Sequence, residues 1–264
     1  MNTFPSYPVP RPFVGRADEV EALNRATQRA AVVSLLGPPG VGKTRLAYEA
    51  ARLREQGQGS GPARVVWVSL LHVHQPRELW EALQTALGVA AEGELDDWVS
   101  AGLEVLTAVA ADLVVWDNGE GLGPEAVALL EQWRCREGQT PWWITSQRPL
   151  GLSSEQVVWI QALSCADPDG TLEALRNCPS VALLERLTRW RRGQFTPSPQ
   201  EYRSMARLAQ HLGGVPLALT MAAGRMTLLD AGSVMKRLHE GLSFLRRSSA
   251  QMVGRGLDTP HHAT

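Results

Sequence analysis

With 264 residues, 44% of them hydrophobic, the chain is long enough for one large α/β domain and a smaller companion. The formal net charge of −1 excludes an overall basic field that would hold nucleic acid or an anionic membrane. No apolar run approaches the roughly 20 residues of a transmembrane helix, and the N-terminus lacks the basic start and apolar core of a signal peptide. The three cysteines are widely spaced, without metal-ligand spacing, so we expect a cytoplasmic protein with reduced thiols.

The first part of the chain predicts a leader, a helix, a strand and a second helix, in that order. Residues 1–12 are Pro-rich, and their four prolines forbid a helix, so an extended leader is expected. A helix is predicted over residues 18–31. The run 31–36 is nearly all apolar and is stopped by glycine, which is typical of a strand buried on both faces. Residues 43–55 are predicted to form the next helix.

Strands and helices then alternate as far as residue 161. Further strands are predicted at residues 64–70, 113–116, 142–145 and 157–160. Further helices are predicted at residues 77–87, 97–110 and 124–133. Because such alternation is the pattern of a parallel sheet, we expect one sheet with helices on both faces.

Tryptophan is unusually common in this chain, with nine residues against four phenylalanines. Several occupy positions where a strand or helix needs a core residue, and we interpret most of these as packing residues. They are Trp67, Trp116, Trp142, Trp143 and Trp159. An aromatic platform for nucleic acid is not expected, because basic residues are not interleaved with them.

After residue 163 the pattern changes to helices alone. They are predicted at residues 169–191, 199–211, 216–229 and 231–245. We therefore expect an α/β domain over residues 13–162, a small all-helical domain over residues 163–245, and a flexible tail over residues 246–264.

A glycine-rich segment separates the first predicted strand from the helix that follows it. Its residues are Gly37, Pro38, Pro39, Gly40, Val41, Gly42, Lys43 and Thr44. In such a loop, glycines let backbone N–H groups turn inward around phosphates, and the helix N-terminus adds partial positive charge. Lys43 is expected to reach the β- and γ-phosphates, and the Thr44 hydroxyl to be a magnesium ligand. The segment predicts a P-loop that binds ATP or ADP with Mg²⁺, in a P-loop NTPase fold.

A second candidate element lies where the third predicted strand ends in Asp117. An apolar strand that ends in an acid has the form of a Walker B element, in which Asp117 holds magnesium through water. A turn-capping acid is the alternative. Many P-loop ATPases place Glu next, as the base for the attacking water, whereas this chain has Asn118, which cannot accept a proton. Glu120 is the candidate that substitutes for it.

Two further segments are candidates for the same site. Residues 145–150 follow the fourth strand, and ligands of open α/β sheets bind at the carboxyl ends of strands. Arg148 in this segment is either a γ-phosphate sensor or a solvated loop arginine. In the helical region, two glycines precede Pro216, which on local grounds indicates only a turn between helices.

Five segments of the chain together point to a family. They read FVGRADE (13–19), GPPGVGKTRLA (37–47), LVVWDNGE (113–120), TSQRPL (145–150) and GVPLAL (214–219). In this order they resemble the boxes of the signal-transduction ATPases with numerous domains. This is the STAND class, which includes the NB-ARC or AP-ATPase proteins, and the resemblance is to its bacterial members.

The resemblance implies roles for residues outside the P-loop. Val14 and Arg16 are expected near the adenine, Arg45 in the P-loop box where its helix begins, and Pro216 against the adenine or ribose from a helical lid. Family members use ADP/ATP exchange as a slow switch between closed and oligomeric states. Asn118 after the Walker B acid fits such slow hydrolysis. The implied partners are ATP or ADP and a protein partner or further copies of the chain, with neither a membrane nor direct nucleic-acid binding.

The chain departs from the family in two ways. The family has an arginine where this chain has Gln147, and Arg148 follows one place later. Along a strand, a shift of one residue turns a side chain to the other face, so the γ-phosphate sensor is either lost or restored by a bulge. The chain also stops near the point where family members begin a winged-helix domain, as a fragment or a minimal protein would.

Three functions fit these features. The first is a nucleotide-dependent switch with slow or weak ATP hydrolysis that controls assembly or a partner effector. The second is an efficient hydrolysing ATPase of the AAA+ kind, and the third is a non-catalytic scaffold that uses nucleotide only structurally.

Overall fold

The computed structural model describes residues 12–56, 63–89, 98–138 and 140–240. Most of the predicted leader and all of the predicted tail lie outside these residues, as do position 97 and positions 241–245 of the predicted helices. The chain divides into two compact units, Met1–Ala162 and Leu163–Thr264. Within the described residues, no helix combines the length and apolar character needed to cross a membrane.

The first unit is built on a five-stranded parallel sheet. Its strands are β1 (Val32–Leu36), β2 (Val65–Ser69), β3 (Leu113–Asp117), β4 (Trp142–Ser146) and β5 (Glu155–Trp159). Their order across the sheet is β2-β3-β4-β1-β5, and every neighbouring pair is parallel. The three inner strands β3, β4 and β1 are buried along their whole length, whereas β5 at the edge is partly exposed. The predicted parallel α/β sheet is confirmed.

Helices cover both faces of this sheet. They are α1 (Ala17–Thr27), α2 (Lys43–Glu55), α3 (Pro76–Leu87), α4 (Trp98–Val109) and α5 (Pro124–Glu137). Alternate strand residues point to opposite faces, because a strand has a period of two. Trp116 and Trp142 therefore join the core under α3, α4 and α5, while Trp143 joins the core under α1 and α2.

The tryptophans show how position in the sheet decides burial. Trp116, Trp142 and Trp143 on the inner strands are fully buried, as expected. Trp159 is 63% exposed and is therefore the exception among the five tryptophans, most of which are expected to be packing residues. It is the last residue of an edge strand, where no neighbouring strand or helix covers it among the described residues.

The second unit is helical. Its helices are α6 (Leu172–Asn177), α7 (Pro179–Arg192), α8 (Pro199–His211) and α9 (Pro216–Arg225), followed by α10 over residues 231–240. Residues 163–240 contain no strand. The single helix predicted over residues 169–191 is two helices, because Pro179 keeps Cys178 in an extended conformation, with ψ at 125°. Helix α7 packs against α6, α8 and α9 and so forms the centre of this unit.

Candidate functional site

The glycine-rich segment after β1 forms a tight loop, for reasons visible in its own residues. A side chain at Gly37 would overlap the carbonyl oxygen of Ile160, so only glycine allows this close approach of two backbones. Gly40 and Gly42 have φ angles of 76° and 100°, a region that side chains other than that of glycine rarely enter. The loop leads directly into α2 at Lys43. A tight glycine-rich loop between a buried strand and a helix, as the sequence predicts, is therefore present.

Lys43 lies inside this loop. Its Nζ atom donates to the carbonyl oxygens of Gly37 at 2.9 Å and Pro38 at 3.2 Å, and the residue is buried. Burial lowers the pKa of Lys43, and the carboxylates of Glu120 and Asp117 oppose that effect. The loop thus surrounds a positive charge at the N-terminus of a helix, which is an environment that suits a phosphate group.

Asp117 collects hydrogen bonds from several elements at the carboxyl end of β3. The Thr44 hydroxyl donates to Asp117 Oδ1 at 2.7 Å, and the Thr145 hydroxyl of β4 donates to the same oxygen at 2.5 Å. Burial raises the pKa of Asp117, and these two hydrogen bonds lower it. The structure therefore joins the P-loop helix to β3 through the two residues that the sequence predicts as magnesium ligands.

These residues fit a magnesium ion that arrives with a nucleotide. Among the described residues, no group of three His, Cys, Asp or Glu side chains forms an all-protein metal site. Magnesium usually keeps several waters and binds through one or two carboxylates plus substrate phosphates. The Thr44 hydroxyl can donate to Asp117 and still present a lone pair to a cation. The Thr44 hydroxyl and the Asp117 carboxylate are therefore suitable oxygen ligands for a magnesium ion that is also bound by nucleotide phosphates.

Asn118 has a structural role that explains its identity. Its φ angle is 68°, in the left-handed region that asparagine tolerates better than most residues. Its amide donates to Asp117 Oδ2 at 3.3 Å, and its backbone N–H donates to the Thr145 hydroxyl at 2.9 Å. The side chain thus donates to the Asp117 carboxylate, and as an amide it cannot take a proton from water.

Glu120 lies on the next turn, residues 119–122, which we call the Glu120 turn. Gln147 Nε2 donates to Glu120 Oε1 at 2.9 Å, and Arg148 Nη2 donates to backbone carbonyl groups of the same turn. Strand β4 ends at Ser146, so strand alternation does not govern them and both reach the same turn. The one-residue shift between Gln147 and Arg148 therefore lies outside the strand.

The remaining predicted residues are dispersed. Arg16 is buried beside the P-loop, where its Nη2 donates to the carbonyl oxygens of Val41 at 3.1 Å and Gln161 at 2.7 Å. Val14 is half-buried in the segment before α1. Arg45 forms an ion pair with Glu49 along α2, with a nitrogen–oxygen distance of 2.5 Å. Pro216 belongs to the second unit, where it is the first residue of α9.

Two residues of this region were missed by sequence reasoning. Thr145 lies within a segment of interest, but its contact with Asp117 depends on β4 lying beside β3. His74, between β2 and α3, donates from Nδ1 to the carbonyl oxygen of Gly121 at 2.8 Å. No local pattern marks His74, because its partner is 47 positions away in the chain.

The parallel sheet, with the glycine-rich loop after β1 and the acid at the end of β3, has a P-loop NTPase fold. Residues 25–148 match the family described as AAA domain. No curated protein matches the chain.

Solved structures are similar to this chain at low sequence identity. A Walker-type ATPase of Pyrococcus abyssi is 16% identical, with 92% of this chain and 76% of that chain covered and a TM-score of 0.54. The ORC1 protein of Aeropyrum pernix, solved in complex with DNA, is 19% identical, with 85% and 63% covered and a TM-score of 0.51. A STAND protein with a tetratricopeptide repeat sensor from Pyrococcus horikoshii is 20% identical, with 80% and 30% covered and a TM-score of 0.47.

Proposed function

We propose that the protein is a nucleotide-dependent switch that binds ATP or ADP with Mg²⁺ and hydrolyses ATP slowly. The observation that carries this proposal is the position of Lys43, whose ammonium group lies inside the P-loop beside the linked pair Thr44 and Asp117. In this proposal the P-loop N–H groups and Lys43 bind the phosphates. Thr44 ligates the magnesium ion directly, and Asp117 holds it through water.

Slow turnover is supported by the residue after Asp117. The Asn118 amide donates to Asp117 and offers no basic group to the attacking water. A nucleotide that is hydrolysed slowly keeps the protein in one state for long periods, as a switch requires. In the proposal, Val14, Arg16 and Arg45 border the nucleotide. The bound state then controls self-assembly or a partner effector.

A faster ATPase of the AAA+ kind is the second candidate, and one observation favours it. The Glu120 carboxylate acts electrostatically on both Lys43 and Asp117, so a proton acceptor is present near the phosphate-binding loop. If Glu120 were as effective as a base directly after Asp117, steady-state turnover would be in the usual enzyme range of about 1–10³ s⁻¹.

Calorimetric titration of nucleotide-free protein tests the proposal. Mg-ADP and then Mg-ATP are titrated into wild type, Lys43→Ala and Lys236→Ala, which replaces the other lysine of the chain. Wild type and Lys236→Ala should bind both nucleotides, and Lys43→Ala should bind about 100-fold more weakly, since charge-assisted hydrogen bonds contribute about 1.5–3 kcal/mol each. Folded wild type that binds neither nucleotide would refute the proposal. Turnover faster than about 1 s⁻¹ would favour the second candidate.

A further inference from the structure

The Glu120 turn is held by side chains from two other loops of the first unit. Arg148, between β4 and β5, donates from Nη2 to the carbonyl oxygens of Glu120 at 3.3 Å and Leu122 at 3.0 Å. His74, between β2 and α3, donates to the carbonyl oxygen of Gly121. Three successive carbonyl groups are thus fixed from two directions. The backbone that carries the Glu120 side chain is restrained at a defined place beside the site.

The two oxygens of the Glu120 carboxylate differ in their hydrogen bonding. Oε1 accepts the hydrogen bond from Gln147, whereas Oε2 is buried and has no hydrogen-bond partner among the described residues. A buried carboxylate oxygen without a donor is costly, by about 1–3 kcal/mol or more. The missing hydrogen bond is accounted for if a bound ligand brings its own hydrogen-bond donor to this oxygen. Glu120 follows closely after Asp117, whose carboxylate accepts a hydrogen bond from Thr44 of the P-loop at 2.7 Å, and its charge acts on Asp117 and Lys43, so the ligand in question is the one in the P-loop.

We propose that Gln147 and Arg148 act on the nucleotide through Glu120, and that Glu120 Oε2 accepts the proton of the water that attacks the γ-phosphate. This inference rests on the proposed binding of ATP. In the step, Oε2 takes a proton from water while the water oxygen bonds to the γ-phosphorus. The bond from that phosphorus to the bridging oxygen breaks, and its electron pair leaves with ADP. Glu120 then returns the proton to solvent, and phosphate is released.

In this proposal Glu120 is the catalytic residue, and Gln147 and Arg148 are positioning residues. Both hydrogen bonds from Arg148 Nη2 go to carbonyl groups of the turn, which assigns this nitrogen to the backbone of the turn and not to a γ-phosphate. Gln147 is occupied in the same way, since its amide is bonded to Glu120. A misplacement of a reacting group by about 1 Å can lower a rate about 100-fold, so residues that do not touch the nucleotide can still set its turnover.

Variants at the three positions separate these roles when rate and affinity are measured together. The set is Glu120→Gln, Gln147→Ala, Arg148→Ala and Arg148→Lys, with Gln132→Ala and Arg136→Ala on the exposed side of α5 as controls. Single-turnover ATP hydrolysis gives the rate. Calorimetry with Mg-ADP and with the slowly hydrolysed analogue Mg-ATPγS gives the affinities, and thermal unfolding reports whether each variant is folded.

We expect Glu120→Gln to lower the rate at least about 100-fold, the usual contribution of general base catalysis. Gln147→Ala and Arg148→Ala should each lower it about 10-fold, and Arg148→Lys should restore part of the rate, because an ammonium group can also donate to the carbonyls. All variants should bind both nucleotides within about twofold of wild type. A purely structural role would lower the thermal midpoint and both affinities together, without this selective loss of rate.

Three results would overturn the inference. One is an Arg148→Ala variant that binds Mg-ATPγS at least 10-fold more weakly while its Mg-ADP affinity is unchanged, which would make Arg148 a direct sensor. The second is a Glu120→Gln variant that hydrolyses ATP at the wild-type rate. The third is wild type that binds ATP but does not hydrolyse it within a day. Failure of the proposed function is a different result, because wild type would then bind no nucleotide.

Discussion

The P-loop and the Glu120 turn both border the predicted phosphate site, but they are held in different ways. The P-loop is built from its own residues. Its glycines permit its shape, and its own Lys43 bonds back to two of its carbonyl groups. The Glu120 turn depends on His74 and Arg148, which come from separate loops of the first unit. The P-loop is thus held by residues that are adjacent in the chain, whereas the Glu120 turn is held by residues that are distant in the chain.

This difference has a physical consequence for function. A loop that is fixed by local geometry and a buried lysine keeps its shape when distant parts of the protein move. A turn that is fixed by hydrogen bonds from exposed side chains is weaker, since each such bond contributes about 0.5–1.5 kcal/mol. Gln147 and Arg148 are both exposed. Binding is therefore expected to be robust, while turnover is the property that distant changes can adjust.

The largest expected effect is at Gly37 in the P-loop. Gly37→Ala should lower the free energy of unfolding by about 2–3 kcal/mol, because the new methyl group would overlap the Ile160 carbonyl oxygen and strands β1 and β5 would have to separate locally. Chemical denaturation measures the loss, and calorimetry should show much weaker Mg-ADP binding.

A glycine outside the site provides the control. Gly88 ends α3 with a φ angle of 65°, and a methyl group there would meet no atom within 4 Å. Gly88→Ala should cost about 1–2 kcal/mol of backbone strain and leave Mg-ADP affinity unchanged. Equal losses of affinity in the two variants would show that the P-loop is not held locally.

Asp117 connects the two regions, and its replacement should have an intermediate effect. Asp117→Asn should weaken binding of the magnesium–nucleotide complex about 10–100-fold, because the carboxylate that holds the ion through water is removed. Calorimetric titration with ADP in magnesium and in EDTA measures the change. The ADP affinity of wild type should be higher in magnesium than in EDTA, whereas the affinity of Asp117→Asn should be nearly the same in both.

Asp112 is exposed and immediately precedes β3, so Asp112→Asn controls for loss of an acid near this strand. It should bind ADP as wild type does, with the same dependence on magnesium. If Asp117→Asn retained the full magnesium effect, Asp117 would have only the role of a turn-capping acid.

The smallest expected effect is at His74, which bonds to the Glu120 turn from the loop between β2 and α3. His74→Ala removes a single exposed hydrogen bond and should lower the free energy of unfolding by about 0.5–1.5 kcal/mol, with Mg-ADP affinity unchanged within about twofold. Denaturation and calorimetry measure both, and Leu71→Ala, exposed in the same loop, is the control. If His74→Ala lost as much Mg-ADP affinity as Gly37→Ala, the P-loop and the Glu120 turn would not differ in their importance for binding.

Local patterns predicted the elements of the first unit closely. Helix α2 covers Lys43–Glu55, as expected from the helix signal after the P-loop, and the apolar runs correspond to strands with shifts of one or two residues. Periodicity and glycine positions are sufficient for such elements because both act within a few residues. The prediction of a single helix over residues 169–191 was wrong because Pro179 interrupts the helical periodicity, so that one helix ends before it and the next begins with it.

The candidate site was predictable only in part. The P-loop and Asp117 follow from motifs, and their hydrogen bond through Thr44 agrees with the roles proposed for them. The position of Gln147 and Arg148 was not predictable, since it depends on β4 ending at Ser146 and on β3 lying beside it. The exposure of Trp159 likewise depends on β5 being an edge strand.

The sequence by itself determined the P-loop, the alternation of strands and helices, and the acid after the third strand, because each is encoded by residues close together in the chain. Tertiary structure alone decided the strand order, and with it which side chains meet at the carboxyl ends of the strands. The three groups that hold the Glu120 turn, from His74, Gln147 and Arg148, come together only there. Contacts across 26 to 47 positions have no local signature, since they form only when the sheet brings separate loops to one edge.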